Sequence, residues 1–237
     1  MLKITTSWDD GDVLDERVMQ LLEKYGLKGT FYIPRDYWGE RLSDERIREL
    51  SEKFEIGAHT LTHADLTKLS LEEAEREIRG SRKWLEEVTG KPVEIFCYPR
   101  GRYTPAVREL VTKARFRGAR TTKQFSLTVG DPFEMETTVH VYPLPVRFSA
   151  GIRRIFGPIR ERYPGYRSLG VSIFDMRSFE SAAKASFDTA LARGGIFHLW
   201  GHSWEIEKYG LWEAFERVCA YIGNRADCRY VTNAELV

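Results

Sequence analysis

Three short clusters in this 237-residue chain combine residue types that do chemistry. Ser7-Trp8-Asp9-Asp10-Gly11 sets two adjacent carboxylates beside a tryptophan, and such charges repel unless a cation or a proton lies between them. Gly11 lets the backbone turn sharply there, although Asp-Gly is also a common plain turn. Gly57-Ala58-His59-Thr60-Leu61-Thr62-His63 places two imidazoles four residues apart, facing the same way if the chain turns helical after a strand. Neutral imidazoles at that spacing suit Zn2+ and similar ions. A lone histidine is more often a satisfied core residue, but these are two of only five in the chain. In His198-Leu199-Trp200-Gly201-His202-Ser203-Trp204, an extended backbone gives His198 and His202 a shared face. His202 is preferred as the working histidine because it lies nearer the strand's C-terminal end, just after Gly201, with His198 as the alternative.

Together these are the parts of a metal-assisted hydrolase. An Asp/His/His set leaves coordination positions open, so the metal lowers the pKa of a bound water toward ~7 and polarises a carbonyl. A spare carboxylate takes the water's proton and a histidine protonates the leaving nitrogen. The same two-histidine, one-carboxylate set also suits non-haem iron oxygenases, so ligand identity alone leaves the reaction open.

The elements that must position these residues alternate from end to end. Strands are predicted at Leu2–Thr6, Gly29–Ile33, Phe54–Ala58, Val93–Tyr98, Gly118–Thr122, Thr138–Tyr142, Ile196–Trp200 and Arg229–Val231. Between them run helical patterns. The first carries Leu14, Val18, Leu21, Leu22 and Tyr25 on one face and stops at Gly26, and a shorter one follows Ser43. The third has Ser70 and Glu73 as a capping box and Gly90 as its stop. Thr104-Pro105 opens another, Ser178 caps one that runs to Arg193, and Leu211–Ile222 is the last. Alternation of this kind implies a parallel sheet covered by helices. The length and the count of about seven or eight units favour a (β/α) barrel, complete or incomplete, over an open doubly wound sheet.

Bulk properties exclude several function classes. A net charge of +1 exerts no global pull on nucleic acid, membranes or acidic polymers, and 42% hydrophobic with 30% charged residues is ordinary globular balance. Cys97, Cys219 and Cys228 are too few, and wrongly spaced, for a disulfide framework. No apolar run approaches the ~20 residues of a membrane span, and MLKITTSWDDG has no signal-peptide core, so the expectation is a cytoplasmic protein of one domain over 1–237. One excursion breaks the rhythm at 143–168, where Arg147, Arg153, Arg154, Arg160, Arg162 and Arg167 face a single acid, Glu161. It is a solvated basic face, a cover over the active site, or a patch that meets an anionic or lipid-linked substrate.

The clusters resemble the motifs of the polysaccharide deacetylase family (carbohydrate esterase family four). Its Thr-Phe-Asp-Asp-Gly corresponds to Ser7-Trp8-Asp9-Asp10-Gly11, and its His-Ser/Thr-x-x-His to His59, Thr60 and His63. The resemblance implies Asp9 as general base, a divalent metal, most plausibly Zn2+, on Asp10, His59 and His63, and Thr60 fixing the loop. Its Arg-x-Pro-Tyr-Gly is met in part by Cys97-Tyr98-Pro99-Arg100-Gly101, with Cys97 in place of the arginine and Arg100 in place of the tyrosine. A backbone N–H at Arg100 still serves an oxyanion, and Arg120, at a strand end, is the candidate to orient the base. The fourth motif, Asp-x-x-Asp-Trp, is not visible, and the last is echoed by His202, the implied general acid. Arg100, Tyr98, Trp200 and Trp8 are the expected substrate contacts. The fold implied is a distorted (β/α) barrel of about seven strands, and the implied reaction removes an N-acetyl group from a sugar or oligosaccharide. Two rivals stand beside it: hydrolysis of a small non-sugar amide or cyclic ureide on the same scaffold, and a non-catalytic carbohydrate binder using Trp8, Trp38, Trp200 and Trp204.

Overall fold

The computed structural model describes residues 1–145 and 157–237. Of the arginine-rich excursion, Arg147, Arg153 and Arg154 therefore lie outside the described residues, whereas Arg160, Arg162 and Arg167 lie on a helix. The order is β1 (Leu2–Asp9), α1 (Asp15–Lys24), β2 (Gly29–Ile33), α2 (Asp44–Leu50), β3 (Glu55–Ala58), α3 (Leu71–Thr89), β4 (Ile95–Cys97) and α4 (Pro105–Lys113). There follow β5 (Gly118–Arg120), β6 (Val139–His140), α5 (Gly157–Ser168), α6 (Phe179–Arg193), β7 (Ile196–Gly201), α7 (Ser203–Lys208), α8 (Trp212–Ile222) and β8 (Cys228–Tyr230).

The caps form as the sequence implies. Ser70 accepts from the Glu73 N–H while Glu73 reaches back to Ser70, and Gly90 ends α3 in the left-handed region, a cap worth about 1 kcal/mol. Ser43, Thr104 and Ser178 cap α2, α4 and α6, each side chain accepting from the N–H three residues on.

All strand pairings are parallel, in the order β5-β4-β3-β2-β1-β7-β6, with β8 beside the start of β1 and β2 beside its end. The two edges of this path are tied by one stretch of chain. Met135 bonds to Ala119 and Thr121 across from β5, while Thr138 and Val141 bond to His198 and Trp200 of β7. The sheet so curls into the distorted (β/α) barrel expected.

Strand pleating sorts the side chains into two layers. On β1, Thr5, Ser7 and Asp9 point into the barrel, where they meet Asn233, His198 and Arg120. Trp8 points out, its ring edge-on to Phe215 of α8 at 5.0 Å, within the apolar layer between strands and helices. On β4, Cys97 faces inward, whereas Phe96 and Tyr98 face the helices. The interior is consequently polar along one column, and that column ends at the C-terminal rim where Asp9 and His59 sit.

Candidate active site

Asp9 ends β1 and the chain turns at once, Asp10 at φ 81° and Gly11 at φ 65°. A Cβ on Gly11 would come within 2.6 Å of the Ile33 side chain, so only glycine fits this turn. After β3 the chain does not turn helical, so His59 and His63 do not meet through the helical turn that their spacing would allow. It bends instead through left-handed residues, Thr60 at φ 66° and His63 at φ 53°. The bend is held by Thr60 Oγ1, which accepts from Ala64 N, and by Glu77 of α3, which accepts from the backbone of Leu61 and Thr62. Non-glycine residues at positive φ cost energy and collect at functional sites. Here Asp10, Thr60, His63 and Arg100 (φ 60°) gather around one pocket.

That pocket, of about 420 Å³, is lined by Asp9, Asp10, His59, His63 and His202, with Arg100, Thr122, Gln124, His140, Glu205 and the tryptophans Trp38, Trp200 and Trp204 around them. Asp10 Oδ2 accepts from the Trp204 indole N–H at 2.9 Å. Its other oxygen, Oδ1, is buried without a hydrogen-bond partner among the described residues, and lies 3.4 Å from His63 Nε2 and 3.8 Å from His59 Nε2. His59 Nδ1 is 2.9 Å from the Cys97 carbonyl, a bond that puts its proton on Nδ1 and leaves Nε2 as a lone pair. Burial lowers the His59 pKa to about 4, so the ring is neutral. An unpartnered carboxylate oxygen facing two ring nitrogens fits a divalent ion, whose ligand atoms roughly 2.0–2.2 Å away stand about 3–3.5 Å from each other.

A second cluster, His140, His202 and Glu205, has comparable donors. These donors satisfy one another: Glu205 Oε2 is 2.7 Å from His202 Nδ1 and 3.0 Å from His140 Nε2. This cluster is a hydrogen-bonded network.

Asp9 is fully buried, which by itself would raise its pKa. The Arg120 guanidinium, with further help from His59 and His202, instead holds it at about 2. Arg120 is no surface residue. It is buried, bonded to Asp9, and flanked by the rings of Trp200 and Tyr32 at 4.8 and 5.1 Å. Cys97 and Arg120 are register partners on β4 and β5. The cation absent from position 97 is therefore supplied one strand over, at the same height in the barrel. The Cys97 Sγ itself lies 3.9 Å from Asp9 Oδ2.

His202 turns into the pocket, with Nε2 3.9 Å from both Asp9 Oδ2 and Asp10 Oδ2. Burial alone would lower its pKa, but the Glu205 bond and the charges of Asp10 and Asp9 raise it to about 9. His198 shares the inward face but sits one layer deeper, against Ser7 Oγ at 2.8 Å, and burial and Arg120 drop its pKa to about 3. It does not line the pocket. Neither do Trp8 and Tyr98, which were expected to touch substrate. Both face the helices by the pleat, Tyr98 stacked on Tyr103 with its hydroxyl on the Phe133 carbonyl. Trp200 and Arg100 do line it. Glu205 and His140 bear no expected role from sequence. His140 is the fifth histidine and stands at a predicted strand end, and Glu205 follows His202 at a spacing of three; those were the signals.

Known proteins share parts of this sequence and its fold. The model of the polysaccharide deacetylase family matches residues 3–119. The Bacillus subtilis protein YxkH is 25% identical over 124 residues, 51% of this chain and 44% of its own length. The peptidoglycan-N-acetylmuramic acid deacetylase PdaC of the same organism is 32% identical over 92 residues, 37% of this chain and 19% of PdaC. The aligned stretches thus span less than half the length of these relatives. Among solved structures, one from Mycobacterium smegmatis superposes with a TM-score of 0.71 at 16% identity, covering 99% of this chain and 88% of that one. A family 4 acetyl xylan esterase from Clostridium thermocellum, in complex with a cobalt ion, gives 0.61 at 17%, covering 99% and 89%. At such identities these two likenesses speak for the fold. Over residues 3–119 this chain matches the polysaccharide deacetylase family. Arg120, His140, His202 and Glu205 all lie beyond the matched stretch.

Proposed function

We propose that the protein is a metal-dependent deacetylase that removes the N-acetyl group from an N-acetylated sugar or oligosaccharide and releases acetate. One observation carries the reading: Asp10 Oδ1 faces two imidazole nitrogens without a partner of its own among the described residues, with Asp9 and His202 in the same pocket. In this reading Asp10, His59 and His63 hold a divalent ion, Zn2+ in our assignment, which when bound polarises the amide carbonyl and acidifies water.

The chain's own residues do the rest. Asp9, kept ionised by Arg120, takes the proton of the attacking water. The carbonyl oxygen takes up charge as carbon becomes tetrahedral, and the backbone N–H at Arg100 is assigned to receive it. His202, protonated at neutral pH, gives its Nε2 proton to the departing nitrogen as the C–N bond breaks. Trp38, exposed and edge-on to Trp204 at 5.4 Å, forms with Trp200 an aromatic wall suited to the apolar face of a sugar ring. The three free, buried cysteines suit a reducing compartment, and we place the enzyme in the cytoplasm on that basis. Among the described residues no helix is long and apolar enough to cross a membrane.

Acetate release from N-acetylglucosamine oligomers, measured beside a panel of small amides and cyclic ureides with Zn2+ added, tests the substrate class. The sugar oligomers are expected to turn over. Turnover of a ureide with the sugars untouched would refute the reading.

A further inference from the structure

We propose that Glu205 and His140 form a positioning pair for His202, and that Arg162 of α5 fixes this pair from its far side. The proposal rests on the reading of His202 as the group that protonates the leaving nitrogen. It assigns roles to three residues outside the family motifs seen in the sequence.

The chain of contacts is continuous. His202 Nδ1 and His140 Nε2 both reach Glu205 Oε2, at 2.7 and 3.0 Å. His140 Nδ1 is 3.3 Å from an Arg162 Nη2. A guanidinium only donates, so His140 Nδ1 must accept, and the remaining proton of a neutral His140 sits on Nε2 and points at Glu205. Burial keeps His140 neutral, its pKa lowered to about 4. The ring cannot swing away. It is stacked on Trp200 at 4.0 Å and 13°, and on Tyr142 at 5.2 Å and 26°, while the Arg162 guanidinium lies 4.3 Å over the Tyr142 ring.

Two donors therefore converge on one carboxylate oxygen, which fixes where that oxygen stands and so where His202 Nδ1–H must aim. With Nδ1–H committed to Glu205, Nε2–H is the proton left to face Asp9 and Asp10. On leaving-group departure the C–N bond breaks, its electron pair takes the Nε2 proton, and a neutral His202 remains with Nδ1–H still bonded to Glu205. Arg162 belongs to the arginine-rich excursion, so one arginine of that segment is a working part of the site.

The pair is read by proton NMR of the His202 Nδ1–H and by kinetics on two leaving groups. The wild-type protein is expected to show a far-downfield ring N–H resonance assigned to His202 by its loss in His202→Gln. Glu205→Gln should move it upfield, and Arg162→Met, which keeps an apolar side chain near Tyr142, should shift it less. Glu205→Gln should lower kcat on an acetylated amino sugar on the order of 10- to 100-fold, with KM little changed. On an aryl acetate ester, whose leaving group needs no proton, kcat should fall far less. A resonance unchanged in Glu205→Gln, or equal losses on amide and aryl ester, would overturn the proposal. A wild-type protein inactive on acetylated sugars, yet showing the Glu205-dependent resonance, would set aside the proposed reaction and leave the pair standing.

Discussion

In the proposed reaction Asp9 works as a base only if it stays ionised inside the barrel, and the residue that secures this, Arg120, reaches it from β5 across the barrel interior. The Asp9 pKa of about 2 lies below the unfolded value, so the Asp9–Arg120 pair contributes stability present above about pH 4 and lost as pH falls toward 2. Replacing Arg120 with Met removes the main charge that opposes burial and leaves only the weaker help of His59 and His202. The acid limb of the pH–kcat profile should then move to higher pH, with activity at neutral pH reduced roughly 10- to 100-fold. Arg120→Lys should recover part of both. A profile unmoved in Arg120→Met would show that Asp9 is not the base. At this scale Asp9, Asp10, His59, His63 and His202 could be singled out from sequence because they lie in compact local clusters, and the fold brings all five to one pocket. Arg120 was found by asking what replaces the arginine missing at Cys97. Glu205 and His140 escaped because their meeting joins chain positions separated by 65 residues. Trp8 and Tyr98 were misassigned although alternation along the strand already turns Trp8 away from the face that carries Asp9.

The elements hold the site by packing its outer layer. The α8 residues Trp212, Phe215, Val218, Cys219 and Ile222 are buried at helical spacing, and Phe215 lies against Trp8, next to Asp9 in the chain. Phe215→Ala should cost about 3–5 kcal/mol, seen as a lowered denaturant midpoint. At the start of α1, Asp15 is fully buried, and burial pushes its pKa well above the usual carboxylate range, with the charges of Asp12 and Asp10 adding to the effect. An acid that binds its proton more tightly when folded costs stability as pH rises above its unfolded value of ~3.9. Asp15→Asn should therefore raise the melting temperature more at about pH 8 than at about pH 4. The opposite trend would mean that Asp15 is ionised in the fold. Strands and long helices were legible because caps, stops and periodicity agree. The α5 helix was not, since it contains Pro164, a residue that normally ends a helix. Nor was α7, only 6 residues long and without an apolar period.

Across the whole molecule, the barrel brings rims of β1, β3, β5 and β7 to one pocket, so residues from 9 to 205 act together. The parallel sheet was legible from alternation, and chain length and unit count favoured a barrel. Its closure was not, because one stretch, Met135 to Val141, bonds first to β5 and then to β7, a switch that leaves no mark on local pattern. The polar interior column that results leads to the open oxygen of Asp10, where the account is most exposed to test. The direct measurement strips the protein with a chelator and titrates Zn2+ back while following both bound metal and acetate release from an N-acetylglucosamine oligomer. The same titration is run on Asp10→Ala and His63→Ala. The account predicts that activity vanishes on stripping and returns in step with a single bound ion, and that both variants lose the ion and the activity together. Full turnover by the stripped protein, or unchanged binding in both variants, would contradict it.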